Sequence, residues 1–111
     1  MSNSGPTPFE QLLQAIMRPV GSTPEEAKEY RDYVLHAIKK AKAEVNDTNS
    51  EGLTPLAVAV QIENEKAMWA LLGNGADSNL PTNAGKTPKE MAQGNASLEI
   101  IFENFEAHKD L

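Results

Sequence analysis

The chain has 111 residues, 40% of them hydrophobic and 23% charged, with a net charge of −6 and no cysteine. That length holds one domain with a modest core, and the composition is that of a folded soluble protein, not a disordered one. Absence of cysteine excludes disulfide and thiolate chemistry, while the acidic balance argues against nonspecific nucleic-acid binding, which needs clustered Lys and Arg.

No apolar stretch approaches the length of a membrane span, and the first six residues lack a basic segment followed by an apolar one. The expectation is a cytoplasmic protein, with export as an effector without a cleavable signal left open. Its charge suits a partner with a basic surface.

Residues 1–6 are small and polar and read as a disordered tail. Thr7-Pro8 opens a first helix, because Thr caps well and Pro fits a position whose N–H has no partner. Phe9, Leu12, Leu13, Ile16 and Met17 form its apolar stripe, and Pro19 and Gly21 end it. A second, longer helix runs from Pro24 to Lys42. Thr23 and Glu26 make a capping box there, acids lead the helix, and Lys39, Lys40 and Lys42 close it. Its inner stripe is Tyr30, Val34, Ala37, Ile38 and Ala41, with Tyr33 and His36 at the margins.

Val45–Gly52 is dense in turn formers, and Thr54-Pro55 starts a third helix with Leu56, Ala59 and Val60 inward. Asn64-Glu65 begins a fourth, with Ala67, Met68, Leu71 and Leu72 inward and Gly75 as its stop. A second turn region spans Leu80–Lys86. Thr87-Pro88 then opens a helix with Met91 and Ala92 inward. The last helix buries Leu98, Ile101, Phe102 and Phe105 and keeps Glu103, Glu106, His108, Lys109 and Asp110 on a polar far side.

Two segments recur at one spacing. Gly52-Leu-Thr-Pro55 returns as Gly85-Lys-Thr-Pro88, and Ala43-Glu-Val-Asn46 as Ala76-Asp-Ser-Asn79, both 33 residues on (85 − 52 and 76 − 43). With Thr-Pro-Leu at 54–56, the chain resembles an ankyrin repeat protein. The resemblance implies an all-α stack of helix-turn-helix repeats with projecting β-turn fingers. It divides residues 7–111 into a long degenerate first repeat (7–45), a central repeat (46–78) and a C-terminal capping repeat (79–111). The sequence departs from the family pattern at Ala57 and Glu90, where His is usual, at Lys89 in place of Leu, and at Glu63 in place of Gly. These losses imply a less rigid finger layer and modest stability.

No catalytic or metal-binding constellation stands out. His36 and His108 lie on different helices without a nucleophile or acid at a motif spacing. There is no Cys, no His pair and no calcium-loop pattern of acids. Gly73-Asn-Gly75 is a helix stop, not a phosphate cradle. Neither an enzyme nor a cofactor is expected.

A binding surface is. The resemblance implies a concave face made of finger tips and the exposed sides of the first helices. Matched position by position, it comprises Thr48, Ser50, Glu51 and Leu53 in the first finger and Gln61 and Ile62 at the end of the next helix. Pro81, Asn83, Ala84 and Lys86 belong to the second finger. Leu53 and Ile62 are apolar where the stack asks for nothing apolar. Trp69 stands where the family places a polar residue; it either packs beneath the long second helix or meets a partner, since Trp is enriched at binding hot spots. The expected function is a module that binds another protein, an enzyme being one class of target, and regulates or inhibits it as an inhibitor, immunity-type protein or adaptor. The alternative is a homo-oligomeric structural protein self-associating through Trp69 and the outer helix faces.

Overall fold

The computed structural model describes residues 6–109, with side chains described through residue 106. Of the tail expected over residues 1–6, only Pro6 falls among them, and the side chain of His108 lies outside. Six α-helices follow in order: α1 (Pro8–Met17), α2 (Pro24–Lys40), α3 (Pro55–Gln61), α4 (Glu65–Leu72), α5 (Pro88–Met91) and α6 (Ala96–Lys109). They form two layers. The inner layer packs α1 on α3 and α3 on α5, and the outer layer packs α2 on α4 and α4 on α6; α1–α2 and α3–α4 close the first two pairs. The stack expected from the sequence is therefore the fold.

Helix starts follow from local chemistry. The hydroxyls of Thr7, Thr54 and Thr87 accept from the N–H groups of Glu10, Ala57 and Glu90 at 3.1, 3.2 and 3.1 Å. Each removes one of the unpaired donors at a helix N-terminus, and a Pro follows each cap. Thr7, Thr23 and Thr87 complete reciprocal capping boxes with Glu10, Glu26 and Glu90. The central repeat has none, because Ala57 stands where the other inner helices carry Glu. At Thr23 the Glu26 carboxylate accepts from the N–H groups of Ser22 and Thr23, which holds its pKa below the usual value.

The first helix pair is longer than the second mainly in α2, which has 17 residues against 8 in α4. That helix ends at Lys40, two residues short of the expected Lys42. The N–H of Ala41 is shared between the carbonyls of Ala37 and Ile38, and the chain tightens into a 3₁₀ turn at Lys42–Glu44. Met17, placed in the apolar stripe of α1, is instead 65% exposed; it is the last helical residue of α1. The other expected inward residues of α2, α3 and α4 are buried.

The last pair carries a register change. The Thr caps of α3 and α5 are 33 residues apart, whereas the Asn caps of α4 and α6, Asn64 and Asn95, are 31 apart (95 − 64). The α5 helix is accordingly a single turn. The same offset of 31 aligns Glu63 with Gly94. Both have positive φ, 60° and 90°, and Glu63 is the only non-glycine with positive φ among the described residues. A side chain in that region costs roughly 1–2 kcal/mol.

One buried polar network ties the first pair to the second. Asn64, 7% exposed, caps α4 by accepting from the N–H of Ala67 at 3.1 Å. Its amide donates to the Ile16 carbonyl at 2.8 Å and to the Tyr30 hydroxyl at 2.7 Å. The carbonyl of Ile16 can only accept and the N–H of Ala67 can only donate, so this orientation of the amide is the one the network requires. The Tyr30 hydroxyl in turn faces the carbonyls of Ala15 and Ile16, at 2.7 and 3.0 Å. Both belong to the last turn of α1, where helix carbonyls lack the usual i+4 donor; that of Ala15 also accepts from the N–H of Arg18 at 3.3 Å. No buried side-chain N or O among the described residues is left unpaired. Burial raises the Tyr30 pKa above its ordinary value of 10.0, outweighing the Asn64 hydrogen bond and the Arg18 charge, which lower it.

Two outcomes are expected. Glu63→Gly should stabilise the fold by about 0.5–1 kcal/mol, the relief of backbone strain less the added freedom of the unfolded chain; the urea midpoint measures it. Because the folded state holds the Tyr30 proton more tightly than the unfolded state does, this stabilisation is complete below about pH 10 and declines as pH rises through the folded pKa. Wild type should therefore lose stability more steeply than Tyr30→Phe as pH rises above about 10 in denaturant titrations.

Candidate protein-binding surface

The fingers are built by paired backbone bonds that repeat at the sequence period. In the first, the N–H of Asn49 donates to the Leu53 carbonyl at 2.9 Å and the N–H of Gly52 to the Asn49 carbonyl at 2.9 Å. In the second, Thr82 donates to Lys86 at 2.8 Å and Gly85 to Thr82 at 2.9 Å, each position 33 residues on (82 − 49). Asn46 clamps the finger bases together: its amide donates to the Gly75 carbonyl at 3.0 Å and its carbonyl oxygen accepts from Asp77 N–H at 2.8 Å. Asn83 of the second finger lies against buried Gly52 of the first. A Cβ on Gly52 would collide with that carboxamide, and its φ of +77° disfavours a side chain in any case.

The positions expected to meet a partner separate into groups. Thr48, Ser50 and Glu51 are exposed on the first finger. Leu53, expected to be a free apolar contact, is half-buried and packs on the core. The Asn49 carboxamide accepts its N–H at 3.0 Å, so the finger folds back over it and Leu53 anchors the finger. Asn83 serves the finger–finger contact. Ile62, the residue that caps the C-terminus of α3, is 44% exposed.

Gln61 and Lys86 come together. They line an open cavity of about 460 Å³ with Val60, Glu63, Glu90, Met91, Gln93, Asn95 and Leu98. The α3 end and its connector supply one wall, the short α5 and the start of α6 the other. Val60 and Leu98 are buried and Met91 half-buried, so the floor is apolar while the rim is amide and charge. Lys86 has no ion pair among the described residues, whose two pairs are Lys28–Asp32 and Lys89–Glu106. The Glu90 carboxylate already accepts from Thr87 N–H at 2.9 Å, which fixes it at the rim. Glu63, Glu90, Met91, Gln93 and Leu98 were not anticipated as surface partners of Gln61. The available signal was the 31-residue spacing between the Asn caps, which shortens α5 and opens the space.

Trp69 lies on the outer layer, away from this groove. It is 44% exposed and shares a shallow cleft with Arg31, Leu35, Lys66 and Ala70. The long second helix reaches Trp69 without covering it: Arg31 and Leu35 of α2 line the same cleft, and much of the side chain remains open. His36 is exposed on α2. No cluster of three His, Cys, Asp or Glu that could hold a metal occurs among the described residues, and none of their helices is long and apolar enough to cross a membrane.

Comparison with known proteins gives two relatives. Escherichia coli K12 YahD, named as an ankyrin repeat protein, is 34% identical over 86 residues, covering 73% of this chain and 43% of YahD. The transient receptor potential cation channel protein painless of Drosophila melanogaster is 28% identical over 102 residues, covering 91% of this chain and 11% of that protein. The chain thus spans less than half the length of either. No family model matches it, and no solved structure matches it significantly.

Proposed function

Because this chain belongs to the ankyrin repeat proteins, we propose that it binds another protein through the layer of fingers and inner helices and thereby regulates or inhibits it. The supporting observation is the groove between α3 and α5. Four polar side chains from two repeats, Gln61, Glu63, Lys86 and Glu90, converge above an apolar floor, and all four are exposed. An extended segment or loop suits that arrangement: an apolar side chain meets Met91 and Leu98 while the amides take main-chain groups. Glu63 and Glu90 favour a basic partner, and Lys86 fixes its orientation by repelling like charge at one end.

Occupancy of a groove is a means of blocking a partner's own site, which is why an inhibitor, immunity-type protein or adaptor is the proposed role. Binding rather than catalysis fits the lining residues, which include no hydroxyl, thiol or imidazole beside a base. The proposed setting is the cytoplasm, in keeping with the cysteine-free composition.

The test is affinity purification from the native host with mass spectrometry, comparing wild type with an Ile62→Glu, Lys86→Glu double variant. Both positions are exposed, so helical content and melting should be unchanged. Wild type should retain one stoichiometric protein that the variant binds at least ~10-fold more weakly. Equal capture by both would remove the groove from the binding surface.

A further inference from the structure

The cleft beside Trp69 is chemically unlike the groove and lies on the opposite layer. Its walls are Arg31 and Leu35, one turn apart on α2, and Lys66, Trp69 and Ala70 on α4. The volume, about 260 Å³, suits one apolar side chain. Trp69 and Leu35 offer it a surface that is open, with a large ring 44% exposed. The charge is the informative part. The chain carries a net −6, yet the only charges lining this cleft are two cations.

Neither cation is spoken for. Arg31 and Lys66 have no hydrogen bond or ion pair to any described residue, and the single cation–ring contact among those residues is Arg18 on Tyr33, at 4.7 Å. Asp32, next to Arg31 in sequence, is paired with Lys28 at 3.3 Å.

From this complementarity we infer that the α2–α4 cleft docks an acidic segment of a partner protein, an apolar side chain seated against Trp69 and Leu35 with flanking carboxylates on Arg31 and Lys66. Side chains that pair an aromatic anchor with guanidinium and ammonium donors are those that recognise such segments. The site is independent of the groove: a partner's basic surface meets the inner face, and an acidic segment the outer.

The experiment pans a displayed library of random dodecapeptides against the intact protein. Enrichment of an apolar residue flanked by Asp or Glu is expected. A labelled synthetic consensus peptide should bind Trp69→Ala at least ~10-fold more weakly by fluorescence anisotropy, and the unlabelled peptide should shift the emission of the sole tryptophan of wild type. The Arg31→Glu, Lys66→Glu variant, altered only at exposed positions, should select Lys and Arg flanks instead. The proposal is overturned by absence of a consensus or by binding that both variants leave within ~2-fold. It is equally overturned if light scattering shows concentration-dependent dimers that Trp69→Ala abolishes, since a second copy would then own the cleft.

Discussion

The Asn64 side chain is the constraint on which the stack depends. It does three things at once: it starts α4, closes the end of α1, and holds the Tyr30 hydroxyl of α2. Each hydrogen bond contributes only about 1 kcal/mol net, but any one left unmade inside the protein costs about 1–3 kcal/mol. The asymmetry makes the network a specification more than a source of stability. Apolar stripes alone allow neighbouring helix pairs to slide; the network admits one position. With α2 held there, Arg31 and Leu35 come to lie beside Trp69, and with α4 held, the end of α3 and Glu63 face α5.

Departures from strict repetition create the surfaces. Ankyrin-type stacking needs only that each pair bury its face on the next. The long α2 extends the outer layer past what α4 alone would present, and supplies half of the Trp69 cleft. The two-residue shortening before Gly94 reduces α5 to one turn and leaves Val60, Met91 and Leu98 as the floor of a groove instead of a continuous helix contact. Glu63 carries the same left-handed turn as Gly94 but with a side chain, and that side chain stands on the groove wall. Strain of this kind is commonly kept where a surface is used.

Much of the fold was legible in the sequence because its signals are local. Thr-Pro caps and the stripes through Tyr30–Ala41 and Leu98–Phe105 depend on neighbours within a few residues, and the 33-residue recurrence needs only the chain compared with itself. The register of the last helix could also have been read, from the spacing of Asn64 and Asn95. Leu53 could not, since its burial depends on Asn49 folding the finger back over it. The groove residues Glu90 and Gln93 follow from the spacing of Asn64 and Asn95, which goes with an α5 of four residues against seven in α3. Asn64 read simply as a cap; its other two partners lie 48 and 34 residues away, beyond any local pattern. Trp69 was recognisable as anomalous by residue type, but the two cations beside it come from different helices and meet only in the packed layer.

Native-state hydrogen exchange on wild type and Asn64→Ser tests the central role of that side chain most directly. Serine keeps a cap for α4 and removes both long-range donors. The account predicts that in wild type α1, α2 and α4 open together. In the variant, α1 and α2 should open on their own at a free energy lower by about 2–3 kcal/mol, while α3 and α4 keep most of their protection. A uniform loss across all helices, or no change in α1 and α2, would contradict it, and would mean that apolar packing alone sets the register of the stack.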